Sequence, residues 1–114
     1  MREVCLLITK NGTIVWSDAG DNALALPDSR ARWEAIWNNR EELAEIVHSH
    51  PVGPRAFSHE DETTMEALDA ALGKALRFSV LAPEGLVVRE DGKVFESAET
   101  PWWVPLLRLA SGMK

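Results

Sequence analysis

Between positions 45 and 61 the chain reads Glu45-Ile46-Val47-His48-Ser49-His50-Pro51, passes six further residues, and reaches Ser58 and Asp61. This stretch admits few folded forms. The apolar residues before the histidines favour a strand, and Pro51, which cannot donate to a ladder, ends it. Residues two apart on a strand share a face, so His48 and His50 present both rings to one point while Ser49 turns away. Ser58 followed three residues later by Asp61 resembles a capping box, so a helix begins there with Asp61 in its first turn. Six positions are specified, and a random chain of this length would show the whole string about once in a million.

Two imidazoles and a carboxylate that converge in this way form a metal-ligand set. Three protein ligands leave the fourth position of a tetrahedral zinc ion for water, as catalytic rather than structural sites do. Coordination brings the pKa of such a water to about 7. The spacing therefore predicts one Zn2+ ion, with a bound water, on His48, His50 and Asp61. A hydrolytic site also needs a proton acceptor. Glu3, a charged residue opening the apolar run Val4 to Ile8, is the candidate, although a solvated strand end would look the same. Glu41, Glu42 and Glu45 are rivals nearer in sequence, but Glu45 stands an odd number of residues from His48 and so faces away. Ser58 has two compatible roles, as helix cap and as a hydroxyl that stabilises a developing oxyanion. His59 is expected to be an exposed first-turn residue.

The whole sequence frames what this site can serve. With 114 residues and 46% hydrophobic content, the chain is expected to form one domain, 1–114, around one core. A net charge of −6 argues against a phosphate-backbone partner, so no nucleic acid is expected. Cys5 is the only cysteine, which excludes an intrachain disulfide and a Cys-rich zinc site. Val4 to Ile8 is too short for a signal segment, and no run approaches the roughly 20 apolar residues of a membrane span. A cytoplasmic protein without a membrane partner is the expectation.

Asn11-Gly12 predicts a two-residue hairpin turn between strands Glu3–Thr9 and Thr13–Ser17. Residues 18–27 read as a loop with a short extended piece at Ala23–Leu26. Asp28 or Ser29 caps a helix to about Leu43, with Trp33, Ile36, Trp37 and Arg40 along one side. A strand covers Glu45–Ser49. The helix from Ser58 to Gly73 carries an apolar stripe of Met65, Leu68, Ala71 and Leu72. Strands follow at Leu76–Ala82, Leu86–Glu90 and Lys93–Glu96, the last two joined by Asp91-Gly92. Thr100 and Pro101 predict a helical tail over Trp102–Leu109, which Pro105 kinks or delays. Trp102 and Trp103 are read as core, with a homodimer contact as the alternative. The pattern is that of an α/β domain.

The string His48-Ser49-His50-Pro51, six residues, Ser58, two residues, Asp61 resembles the JAMM (MPN-plus) metalloprotease motif of JAB-domain proteins, at every specified position. Glu3-Val4-Cys5-Leu6-Leu7-Ile8 looks like the strand whose glutamate is that family's general acid/base. The resemblance implies a cytidine-deaminase-like α/β fold, a three-layer sandwich with a central mixed sheet flanked by helices. The deaminases' own Pro-Cys-x-x-Cys signature is absent, which argues against base deamination. The resemblance also implies that His48, His50 and Asp61 bind zinc, that Glu3 activates water, and that Ser58 helps hold the oxyanion. Leu6 stands where the family commonly has a glycine, and the helix that usually precedes the glutamate strand is missing. The chain is also too short for the insertions with which eukaryotic relatives grip ubiquitin, so a compact prokaryotic-type member is expected.

Members of that family hydrolyse peptide or isopeptide bonds. The implied partner is the peptide tail of a protein substrate, such as a ubiquitin-like or sulfur-carrier protein. Two alternatives stand beside this: a non-catalytic interaction module on the same fold, and a zinc hydrolase of small amides.

Overall fold

Turn chemistry sets the registers of the sheet. The computed structural model describes residues 1–113 of the chain. Strand β1 (Val4–Thr9) passes into β2 (Ile14–Ala19) through a turn in which the Thr9 N–H donates to the Thr13 carbonyl. Gly12 takes φ +83 while Asn11 does not enter the positive-φ region. The connection is thus a three-residue loop closed by a left-handed glycine, rather than the predicted two-residue turn. At the other end, Glu90 pairs with Lys93, and Asp91 and Gly92 both take positive φ, as a two-residue mirror-image turn requires. This turn joins β5 (Gly85–Glu90) to β6 (Lys93–Ser97).

The six strands order as β2-β1-β3-β4-β5-β6, with β3 spanning Leu43–Ser49 and β4 Arg77–Ala82. All neighbours are antiparallel except β3 and β4, which run parallel. A parallel pair needs a crossover, and helix α2 (His59–Leu72) supplies it. Ser58 is its N-cap and Gly73, at φ +67, its C-cap. Helix α1 (Arg30–Asn38) connects β2 to β3, and α3 (Val104–Ser111) follows the sheet.

Alternation along β1 divides the core. Cys5 and Leu7 pack with Ile36 of α1, Met65 of α2 and Phe78 of β4. Val4, Leu6 and Ile8 pack on the opposite face with Val104 and Leu107 of α3 and Trp103 just before it. The sheet is therefore the middle of three layers, a mixed sheet with α1 and α2 on one face and α3 on the other. That is the predicted architecture.

Several local expectations are corrected. Helix α1 ends at Asn38, because its C-cap Asn39 leaves helical geometry at φ −105 and ψ 10 while its side-chain amide donates to the Ala35 carbonyl. Its buried positions are Arg32 and Ile36, whereas Trp33 and Trp37 are 37% and 52% exposed. Arg32 goes inside because Asp18 pairs with it, and Trp37 stays outside beneath the Arg40 guanidinium, 4.0 Å from the ring centre. In α2 Met65 is buried, Leu68 and Leu72 are half-buried, and Ala71 faces solvent. Residues 23–26 form no strand. Helix α3 starts at Val104, later than Thr100-Pro101 suggested. Pro105 lies in its first turn, where its missing N–H costs nothing. The two tail tryptophans part company: Trp103 is 2% exposed and packs under α3, while Trp102 is 59% exposed.

Candidate metal centre

The antiparallel register of β1 and β3 brings the distant glutamate to the histidines. Cys5 pairs with His48, and continuing that register places Val4 opposite Ser49 and Glu3 opposite His50. Glu3 and Cys5 share a face of β1, and His48 lies directly across from Cys5, so all three look toward the α1 and α2 layer. Glu3 is held on its other side by the chain beyond β2: its N–H donates to the Asn22 carbonyl and its carbonyl accepts from the Gly20 N–H.

His50 lies one residue past β3 and stays in line because its N–H donates to the Leu81 carbonyl of β4 at 2.8 Å. Its Nδ1 is 2.9 Å from the Pro54 carbonyl oxygen, which can only accept. Nδ1 therefore carries the proton, and Nε2 presents a lone pair. That lone pair lies 3.1 Å from His48 Nε2. Asp61 Oδ2 is 3.4 Å from His48 Nε2 and 3.7 Å from His50 Nε2. The Ser58 N–H donates to this same Oδ2 at 2.8 Å, while Ser58 Oγ accepts the Asp61 N–H at 3.0 Å, which closes a capping box. Glu3, His48 and His50 each offer a donor atom within 4.8 Å of the others.

These spacings fit a tetrahedral cation. Ligands about 2.0–2.2 Å from such an ion stand about 3.3–3.6 Å apart, and the observed triangle of two Nε2 atoms and Oδ2 has edges of 3.1, 3.4 and 3.7 Å. The Pro54 carbonyl on His50 Nδ1 is the kind of outer partner that orients an imidazole in metal sites. As a backbone group it carries no sequence signature, and sequence reasoning missed it.

Electrostatics distinguish the two carboxylates. Burial raises the Asp61 pKa, but the hydrogen bond and charge of His48, together with both Ser58 bonds, overcome it and hold the group at about 2. Glu3 moves the other way. Burial raises its pKa, only partly opposed by the His48 charge, and the Asp61 charge pushes it further up. A carboxyl lifted toward neutrality beside one that stays ionised is the pairing proton transfer uses. Burial, and then the charge of His48, lowers the His50 pKa, which favours the neutral ligand form.

The rival acids lie elsewhere. Glu45 accepts the Ser79 hydroxyl at 2.6 Å on the other face of β3. Glu41 and Glu42 are exposed just before that strand begins. His59 is exposed in the first turn of α2 and lines a groove of about 820 Å³ whose walls also include Glu3, His48, His50 and Asp61. Trp33, Ile36, Phe57 and Leu68 give that groove apolar walls, while Asp28 and Glu60 add charge. Arg32 braces it, bonding Asp18 through Nε and Nη2 and donating to the Pro27 carbonyl at 2.9 Å.

No curated protein matches the chain. A family model described as prokaryotic homologs of the JAB domain matches residues 3–95. The span opens on Glu3 and takes in both histidines, Ser58 and Asp61, so the chain belongs to the family of prokaryotic JAB-domain homologs.

Proposed function

We propose that the protein is a zinc-dependent hydrolase of peptide or isopeptide bonds, acting on the C-terminal tail of a ubiquitin-like or sulfur-carrier protein. The observation that carries this reading is that Glu3 reaches within 4.8 Å of His48 and His50, the two rings whose Nε2 atoms form a donor triangle with Asp61 Oδ2. A scaffold needs neither a complete ligand set nor a buried glutamate beside it.

In this reading His48, His50 and Asp61 would hold the ion. When bound, zinc supplies Lewis acidity and a water acidic enough to react at neutral pH. Glu3, raised by burial, takes the proton of the attacking water and returns it to the departing nitrogen. Ser58 Oγ accepts from the Asp61 N–H, which leaves its own O–H to donate to the substrate carbonyl oxygen as charge develops there. The apolar walls around Trp33 and Phe57 suit an extended tail rather than a small polar amide.

The test combines zinc stoichiometry with hydrolysis of Gly-Gly-tailed fusion proteins and of small amides. One zinc per chain and cleavage of the tailed proteins are expected, with Glu3→Gln slower by about 10²–10⁴-fold yet still loaded with zinc. A chain that takes up no zinc refutes the reading. Preferential turnover of small amides would overturn the substrate assignment.

A further inference from the structure

Ser49, between the two histidines, is fully buried on the face of the sheet away from the donor triangle. Its hydroxyl accepts the Val4 N–H at 2.9 Å and the hydroxyl of Ser111, also fully buried, at 2.6 Å. Ser111 lies in the last turn of α3, and its carbonyl accepts the Arg2 N–H at 3.1 Å. The residues on either side of Glu3 are thus both tied to one pair of serines, Arg2 through Ser111 and Val4 through Ser49. A buried pair of hydroxyls by itself contributes little net stability. Packing alone asks for no hydroxyl here; what Ser49 supplies is the acceptor for the buried Val4 N–H, which an apolar side chain would leave unpaired.

We propose that Ser49 and Ser111 are positioning residues, a bracket between β3 and α3 that holds the Glu3 carboxylate against His48 and His50. This assignment rests on the hydrolytic reading given above for the meaning of Glu3, but not for the bracket itself. Ser49 is well placed for the task because its backbone neighbours are the two histidines. Any shift of β1 relative to that hydroxyl is a shift of Glu3 relative to both rings. Ser111 lies outside the span 3–95 that the family model matches, so here the helix after the sheet takes part in setting the site. A displacement of a reacting group by about 1 Å costs on the order of a hundredfold in rate.

The full chain carrying Ser111→Ala, Ser49→Ala or Ser49→Thr is compared with wild type by amide hydrogen exchange, zinc titration and steady-state kinetics. Exchange at Val4 and Glu3 is expected to quicken by about tenfold in both alanine variants, with Leu7 and Val47 unchanged. Zinc affinity should stay within about twofold, because no ligand moves. With a cleavable tailed substrate, kcat should fall by about tenfold or more at unchanged KM, and Ser49→Thr, which keeps the hydroxyl, should recover most of it. Should Ser49→Ala fail to fold, Ser111→Ala carries the test alone, since the Val4 bond to Ser49 then loses only its buttress. Unaltered exchange at Val4 and Glu3 overturns the bracket, and so does faster exchange at all core amides alike, which marks plain destabilisation. If wild type binds zinc but cleaves none of the substrates, the hydrolytic reading fails while exchange and zinc affinity still decide the bracket.

Discussion

Ser58 and Asp61 cap each other at the start of α2, and the Asp61 oxygen that receives the Ser58 N–H at 2.8 Å also lies 3.4 Å from His48 Nε2. One carboxylate therefore serves the helix terminus and the histidine pair together. The negative charge also sits where the helix dipole welcomes it.

Removing the Ser58 hydroxyl leaves the Asp61 N–H without its cap. Ser58→Ala is expected to cost about 1 kcal/mol, lowering the melting temperature by about 4 °C. Ser58→Thr should stay near wild type. A melting curve for Ser58→Ala that overlays wild type would remove the cap from the stability of α2.

The depressed Asp61 pKa makes metal-free stability depend on acid. The group sits at about 2 when folded, against 3.8 as the ordinary value. As pH falls, the unfolded chain takes up this proton first. The stabilisation, complete above the ordinary value, is lost progressively toward the folded one. Urea midpoints measured between about pH 5 and pH 2 should fall less steeply for Asp61→Asn than for wild type. Equal slopes would mean that Asp61 titrates alike in both states.

Burial pushes the Cys5 thiol up to about 12 from its ordinary 9.0, outweighing the Arg32 charge. The thiolate is the reactive form. The native protein at pH 8 should therefore react with a disulfide reagent on the order of a thousandfold more slowly than the urea-unfolded chain. Comparable rates in the two states would show that β1 opens readily.

Arg32 and Asp18 are mostly buried and bonded through two guanidinium nitrogens. Arg32→Met leaves Asp18 without its partner and is expected to cost about 3 kcal/mol. Adding Asp18→Leu should restore much of that loss. A double variant no better than Arg32→Met would indicate that the bond from Arg32 to the Pro27 carbonyl matters more than the ion pair.

The strand-loop-helix of His48 to Asp61, the capping box and the turn at Asp91-Gly92 were legible from residues alone. Each depends on neighbours a few positions away, through strand alternation, proline's missing donor and the φ freedom of glycine. The faces of α1 were not legible. Apolarity favoured Trp33 and Trp37 inside, but a buried Arg32 needs Asp18, fourteen residues earlier on β2, and that pairing exists only once the helix docks. Trp102 and Trp103 show the same limit, since two adjacent tryptophans on a helix approach cannot both face one core.

The amino-acid sequence by itself determined which atoms can form the donor triangle, because two imidazoles two residues apart and a first-turn carboxylate are placed by local geometry. Only the tertiary structure decided that Glu3 meets them, through a β1–β3 register spanning forty-five positions. It also decided that Ser111, sixty-two positions beyond Ser49, completes the bracket behind that glutamate. Contacts at such separations arise from packing both faces of the sheet at once, and no local pattern encodes that.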